Sequence, residues 1–387
     1  MKKNVTLICD LQFGSTGKGL IAGYLAERDQ PDVVVTAWSP NAGHTYINEK
    51  GEEFIHTMLA NGIVSPCLKS VLIGPGSVVN LDSLVSEVRA ARQLGYLENI
   101  TILIHPHAAI VAQHHRDEEE RTMTGIGSTK KGSGAALTQK IQRQVDGCVV
   151  ARDVLGTGID GMIDVDGCII RVAGFDQYNA IIDQAQRIHV EGAQGFSLGI
   201  NSGFYPYTTS RECTPAQLMT DCGVPMGKLR KVVGCMRTYP IRVANRFDES
   251  GNQIGYSGPG YRDQDELEWD QLGIEPELTT VTKLPRRIFS FSMEQARQSI
   301  RMCRPDEIFL NFCNYVEDAE ALMQEWVGAI NVIDREVRGF RSGDVSHSVV
   351  RYLGEGPEVT SVYDLELERL RWWNHRADTE AASNGPV

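Results

Sequence analysis

The chain predicts an α/β protein with a central, mostly parallel β-sheet flanked by helices. Three observations carry that prediction. Short apolar runs recur without alternation, each runs into a loop rich in Gly, Asn, His or Ser, and the stretches between carry helical spacing. Unalternated β-branched runs suit strands covered on both faces, as in a parallel sheet. In chain order, VTLICD (5–10) leads into LQFGSTGKG, and DVVVTAW (32–38) into SPNAGHT. SVLIG (70–74) leads into PGSVVN, NITILIH (99–105) into PHAAIV, and RIHVEGAQG (187–195) into FSLGINSG. KVVGCM (231–236) leads into RTYPIRVAN, and EIFLNF (307–312) into CNYVED. Leu20, Ile21, Tyr24 and Leu25 share one helical face, and Leu81, Leu84, Val85 and Val88 share another. In such folds ligands bind beyond the carboxyl ends of the strands, where these loops fall.

Bulk properties narrow the function. The 387 residues are 42% hydrophobic and 23% charged, ordinary for a globular chain. No internal repeat or linker divides them, so residues 1–376 are expected to form one domain. ADTEAASNGPV (377–387) has little to bury and reads as a disordered tail. A net charge of −12 argues against nucleic acid as a partner. The apolar runs are too short to span a bilayer, and the N-terminus lacks a signal-peptide core, so no membrane is involved and a cytoplasmic location is expected. The nine cysteines include no C-x-x-C pair and read as reduced thiols. RDEEER (116–121) reads as a solvated helix face.

Three loops carry phosphate chemistry. In FGSTGKG (13–19), glycine-freed amides ahead of a helix N-terminus can wrap an anion, with Lys18 adding a point charge. The spacing is not that of the usual P-loop: two residues separate Gly14 from Gly17, and Lys18 precedes Gly19. SPNAGHT (39–45) places Asn41, His44 and Thr45 on a tight loop, where the histidine is a candidate general acid or charge stabiliser. GIGSTKKGSG (125–134) offers hydroxyls, amides and two lysines to a monophosphate, and VEGAQG and YPYTTS (205–210) add further donors.

Taken together with RTYPIRV and TTVTKLPRR (279–287), these motifs resemble, in order and spacing, the adenylosuccinate synthetase family, and GYSGPGYRDQDELEWDQLG (255–273) resembles its shorter archaeal-type members. The resemblance runs from about Val5 to Arg341. It implies a P-loop-like fold and a ligase that phosphorylates a purine 6-oxygen and then displaces that phosphate with L-aspartate. It further implies that Gly14, Gly17, Lys18 and Gly19 hold the nucleoside triphosphate together with Thr45, Ser342 and Gly343. The Gly43 carbonyl would help to ligate Mg²⁺, and His44 would act at the transferred group. Ser15, Thr16, Asn41, Ser128, Thr129, Gln194 and Thr209 would bind the acceptor nucleotide, with Lys18, Ser15 and Gln194 joining His44 in the catalytic set. Arg143 would reach a partner subunit's nucleotide, making a homodimer. Thr280, Val281, Thr282 and Arg286 would bind aspartate.

The departures refine the reading. Ordinary members carry an aspartate, their general base and a metal ligand, where this chain has Ser15. Serine there resembles the family's bacteriophage branch, the 2-amino-2′-deoxyadenylosuccinate synthases, whose acceptor is dGMP. Losing the carboxylate frees volume beside purine N1, and a hydroxyl accepts a hydrogen bond from a 2-amino group. The replacement base stays open among a substrate phosphate, the aspartate substrate and a water. Where GTP-using members read guanine with an acid, this chain has Asn311 and Asn314, whose amides suit the edge of adenine, so ATP or dATP is expected as donor. Leu284 stands where many members have an arginine, and FRSGDVS (340–346) matches the last nucleotide loop loosely. The alternatives are a GTP-dependent synthetase acting on IMP and an inactive nucleotide-binding protein.

Overall fold

A computed structural model describes residues 2–123, 129–143, 149–157, 161–279, 283–339 and 348–383. Its centre is an eleven-stranded sheet. In chain order the strands are β1 (Val5–Asp10), β2 (Val33–Thr36), β3 (Ser70–Ile73), β4 (Thr101–Ile104), β5 (Ile163–Val165), β6 (Cys168–Val172), β7 (Ile188–Glu191), β8 (Leu229–Arg237), β9 (Glu307–Asn311), β10 (Val350–Gly354) and β11 (Val362–Asp364). Across the sheet they run β11-β10-β9-β8-β1-β7-β2-β3-β4-β6-β5. Pairing is parallel everywhere except at the two edges, β5 with β6 and β10 with β11. The seven expected strands all lie in this sheet; the outer two at each edge, β5 and β6, β10 and β11, are additions that the apolar-run pattern did not mark.

Burial on both faces explains the unalternated runs. Val5, Leu7, Cys9 and Leu11 enter one core layer with Val33, Val35 and Ala37, whereas Ile8 and Val34 enter the opposite layer. Successive side chains of a strand point to opposite faces, so both sets must be apolar when helices cover both. Helix α1 (Lys18–Asp29) packs Leu20, Ile21, Ala22 and Leu25 into the second layer. Gly19 brings α1 against the hairpin of His44–Ile47 and Glu53–His56, since a Cβ there would meet the Thr45 carbonyl oxygen at 2.4 Å.

Two details of the sequence reading change. The helix Arg369–Ser383 continues into the stretch expected to be a tail, with Trp372 buried in the core. RDEEER is not simply a solvated face: Glu119 is buried, and its carboxylate accepts from the amides of Gly132 (2.7 Å), Gly134 (2.6 Å) and Ala135 (3.2 Å). An acid at a helix N-terminus satisfies donors that have no intrahelical partner. Among the described residues the cysteines are free thiols, all buried except Cys67.

Candidate active site

The carboxyl ends of β1, β2, β7, β8 and β9 carry one cluster of loops. At its base lies Asp10, the last residue of β1 and 2% exposed. Its Oδ1 accepts from the amides of Gln12 (2.8 Å) and Gly14 (3.1 Å). Its Oδ2 accepts from the Thr16 hydroxyl and from Lys18 Nζ, the latter at 3.0 Å. The loop is therefore wound around a buried carboxylate that neutralises Lys18. Motif reading passed over Asp10; the available signal was an acid closing the first apolar run.

The loop then opens at one point. Ser15, with φ of 53°, is the exposed residue of a stretch whose other side chains are buried. Its carbonyl accepts from Arg237 Nη1 at 3.1 Å. Gly17, at φ 88°, begins α1, and no acid occupies the first turn of that helix. The positive helix end is thus left to a ligand anion.

Asn311 is buried at the end of β9. Its Nδ2 donates to the Thr16 carbonyl at 3.3 Å, and its Oδ1 accepts from the Phe312 amide at 2.8 Å. Hypothetical Cβ atoms on Gly17 and Gly354 would meet its amide at 2.0 and 2.1 Å. Nδ2 thus braces the phosphate loop, while Oδ1 is held at the end of its own strand. Asn314, three residues on, is exposed.

His44 is buried and stacked on Trp38, with ring centroids 3.9 Å apart. Trp38 in turn donates from Nε1 to the Glu191 carbonyl at 2.7 Å. Burial, then the Lys18 and His56 charges, hold the His44 pKa well below that of a free imidazole, so the ligand-free ring is neutral. Its Nε2 has no partner among the described residues. Asn41 is half-buried, and Gly43 and Thr45 are exposed beside it.

Gln194 sits half-buried at φ 61° on the loop after β7, and Thr209 is half-buried with its amide donating to the Leu198 carbonyl at 2.8 Å. Thr129 is half-buried; of the same motif, the Gly132 and Gly134 amides are taken by Glu119. Arg143 is exposed at the end of helix Ser133–Gln142. Arg286 is half-buried, its amide donating to the Glu277 carbonyl at 2.8 Å and its own carbonyl accepting from Trp269 Nε1 at 2.7 Å. Ser128, Thr280, Val281, Thr282, Ser342 and Gly343 lie outside the described residues.

The adenylosuccinate synthetase family profile matches residues 7–154 and 171–323, which spans this loop cluster. The chain belongs to the adenylosuccinate synthetase family. It is therefore a ligase of that type, and its relatives grade by identity. The N6-succino-2-amino-2′-deoxyadenylate synthase of Acinetobacter phage SH-Ab 15497 is 54% identical over 93% of this chain and 93% of its own. The synthase of the same name from Cyanophage S-2L is 42% identical over 95% and 96%. The adenylosuccinate synthetase of Methanocaldococcus jannaschii is 27% identical over 95% and 100%. Among solved structures, the Cyanophage S-2L succinoaminodeoxyadenylate synthetase, bound to dGMP and to dATP as an energy donor, superposes with a TM-score of 0.80. That match covers 97% of this chain and 100% of the other at 40% identity. This family member has no helix, among its described residues, long and apolar enough to cross a membrane.

Proposed function

We propose that the chain joins L-aspartate to C6 of dGMP at the expense of ATP or dATP. The products are 2-amino-2′-deoxyadenylosuccinate, ADP or dADP, and phosphate. The observation that carries this reading is Ser15: an uncharged hydroxymethyl stands exposed at the open point of the phosphate loop, where ordinary members have a carboxylate. The full-length likeness to four phage synthases, 42–55% identical, supports it.

In the first step the purine 6-oxygen attacks the γ-phosphorus and the bond to the β-phosphate oxygen breaks, while the N1 proton passes to a substrate phosphate, to the aspartate substrate or to a water. The aspartate amine then attacks C6, and the C6–O bond breaks to release phosphate. Such transfers are catalysed mainly by placed charge and donors. Lys18 moves its ammonium from Asp10 toward the incoming phosphates, and the N-terminus of α1 faces the same charge. His44 enters neutral, and phosphate oxygens favour its protonation beside the group in transfer. Asn41, Thr129, Gln194 and Thr209 hold the acceptor, Asn314 reads the donor base in place of Asn311, and Arg286 meets aspartate. Arg143 completes the site of a second copy in a homodimer. Asp10 is not the missing base, because four donors already occupy it.

Mg²⁺ is the metal the family generally uses. Gly43 is exposed at the mouth of the site, and no group of three or more His, Cys, Asp or Glu among the described residues could hold a metal by itself. That donor set fits an ion carried mainly on phosphates and water, with the Gly43 carbonyl at hand. When bound, the ion neutralises charge on the transferring phosphoryl group.

The test is turnover by purified protein with L-aspartate, Mg²⁺ and ATP or dATP, comparing dGMP with IMP. Product from dGMP is expected; product from IMP alone reverses the choice of acceptor.

A further inference from the structure

Arg237 sits where three loops of the site meet. It ends β8, between β1 and β9, and its side chain is fully buried. Its main chain is gripped by Gln12, whose Oε1 accepts from the Arg237 amide (2.8 Å) and whose Nε2 donates to its carbonyl (3.2 Å). Nη1 donates to the Ser15 carbonyl at 3.1 Å and to Glu277 Oε2 at 3.3 Å, while Nη2 pairs with Glu277 Oε1. The guanidinium lies over the Phe312 ring, 3.7 Å from its centroid. Glu277 also accepts from the Tyr315 hydroxyl at 3.0 Å, and its carbonyl takes the Arg286 amide.

We infer that Arg237, paired with Glu277, is a positioning residue that couples the acceptor pocket at Ser15 to the aspartate-binding segment at Arg286. The inference rests on the reading of the site given above. Ser15 holds a left-handed backbone, which costs a non-glycine residue energy and persists only where neighbours enforce it. Arg237 supplies that constraint from one edge of its planar fork and grips Glu277 with the other, a geometry that lysine cannot reproduce. A carboxylate and a loop carbonyl held by one guanidinium cannot move independently. Aspartate held at Arg286 therefore also fixes where the Ser15 hydroxyl stands.

Three variants test this: Arg237→Lys, Glu277→Gln and the milder Tyr315→Phe, each first compared with wild type by thermal unfolding. Arg237→Lys is expected to cut the dGMP-over-IMP preference in kcat/KM about tenfold, because it frees Ser15. Glu277→Gln is expected to raise the KM for aspartate about tenfold, and Tyr315→Phe to raise it a few-fold at unchanged melting temperature. The double variant Arg237→Lys/Glu277→Gln is expected to be no worse than the poorer single one, as for residues acting as a unit. Fold-losses that multiply, or variants that lower only the melting temperature while preference and aspartate KM stay put, overturn the inference. If the wild type uses IMP instead of dGMP, the acceptor assignment fails while the coupling is still read on IMP. For a chain that does not turn over, dGMP affinity measured by calorimetry with and without saturating L-aspartate reads the same coupling. A coupling in wild type that Arg237→Lys leaves intact sinks the proposal.

Discussion

Two side chains define the floor and the mouth of the phosphate loop. Ser15 faces solvent at the open point of the phosphate loop, and on the proposed reading its lack of charge sets which purine edge is tolerated. Ser15→Asp is expected to lower kcat/KM for dGMP at least tenfold more than for IMP, measured in parallel assays. Equal losses on both would contradict the pocket argument. Asp10 acts below, accepting two amides, a hydroxyl and the Lys18 ammonium. An asparagine there would leave Lys18 a buried cation without its counter-ion. Asp10→Asn should therefore cost about 3 kcal/mol in denaturant unfolding at neutral pH, the scale for breaking a buried pair. A change within a few tenths would mean that solvent already screens the pair.

At the scale of elements, the end of β9 holds the start of α1. Asn311 ties the Thr16 carbonyl to its own strand end and fills the space between Gly17 and Gly354. Gly17→Ala meets two obstacles, the positive φ and a Cβ that would lie only 2.0 Å from Asn311 Nδ2. It should unfold several degrees below wild type, and Asn311→Ala added to it should recover part of that loss, because only the overlap is relieved. Strict additivity of the two melting-temperature changes would show that Asn311 does not brace the loop. The mouth of the site also predicts how the metal behaves. On the proposed reading, with Mg²⁺ carried on the nucleotide phosphates, EDTA should abolish turnover while leaving the melting temperature unchanged; a large fall on chelation would reveal a structural metal.

For the whole molecule, a sheet covered on both faces buries titratable groups with it. His56 and His189 lie in the interior, and burial lowers each pKa to about 4. The unfolded chain, with imidazoles near 6.5, binds more protons than the folded one between these values. Their contribution is thus present above pH 6.5 and lost as pH falls toward 4. At pH 5.5 the loss is about 1 kcal/mol for each histidine. Glu191 acts in the opposite sense, since burial raises its carboxyl to about 7 despite hydrogen bonds from the Asn61 and Gly62 amides. Its penalty therefore shrinks as pH falls. His189→Gln should make the loss of stability between pH 7.5 and 5.5 shallower by about 1 kcal/mol in urea unfolding, and an unchanged slope would remove His189 from this account.

The sheet and its ligand-bearing edge were legible in the residues because burial on both faces demands continuous apolar runs, and because loops at strand ends need Gly, Asn and Ser for their turns. Motif order pointed to the family, since phosphate chemistry constrains residues close together in the chain. The partners of particular side chains were not legible. The bonds that Asn311 makes to Thr16 and Phe312 carry no mark in its surrounding residues, and nothing in the acidic run 116–121 signals that Glu119 caps a helix. Asp10 and Arg237 drew no notice as site residues, because an acid and an arginine at strand ends carry no pattern of their own. By itself the sequence determined the layers, the loop chemistry and the uncharged residue at position 15. Only the tertiary structure decided which polar groups were free to meet a ligand: hydrogen bonds are used up by neighbours in space, and those neighbours lie as much as hundreds of positions away along the chain.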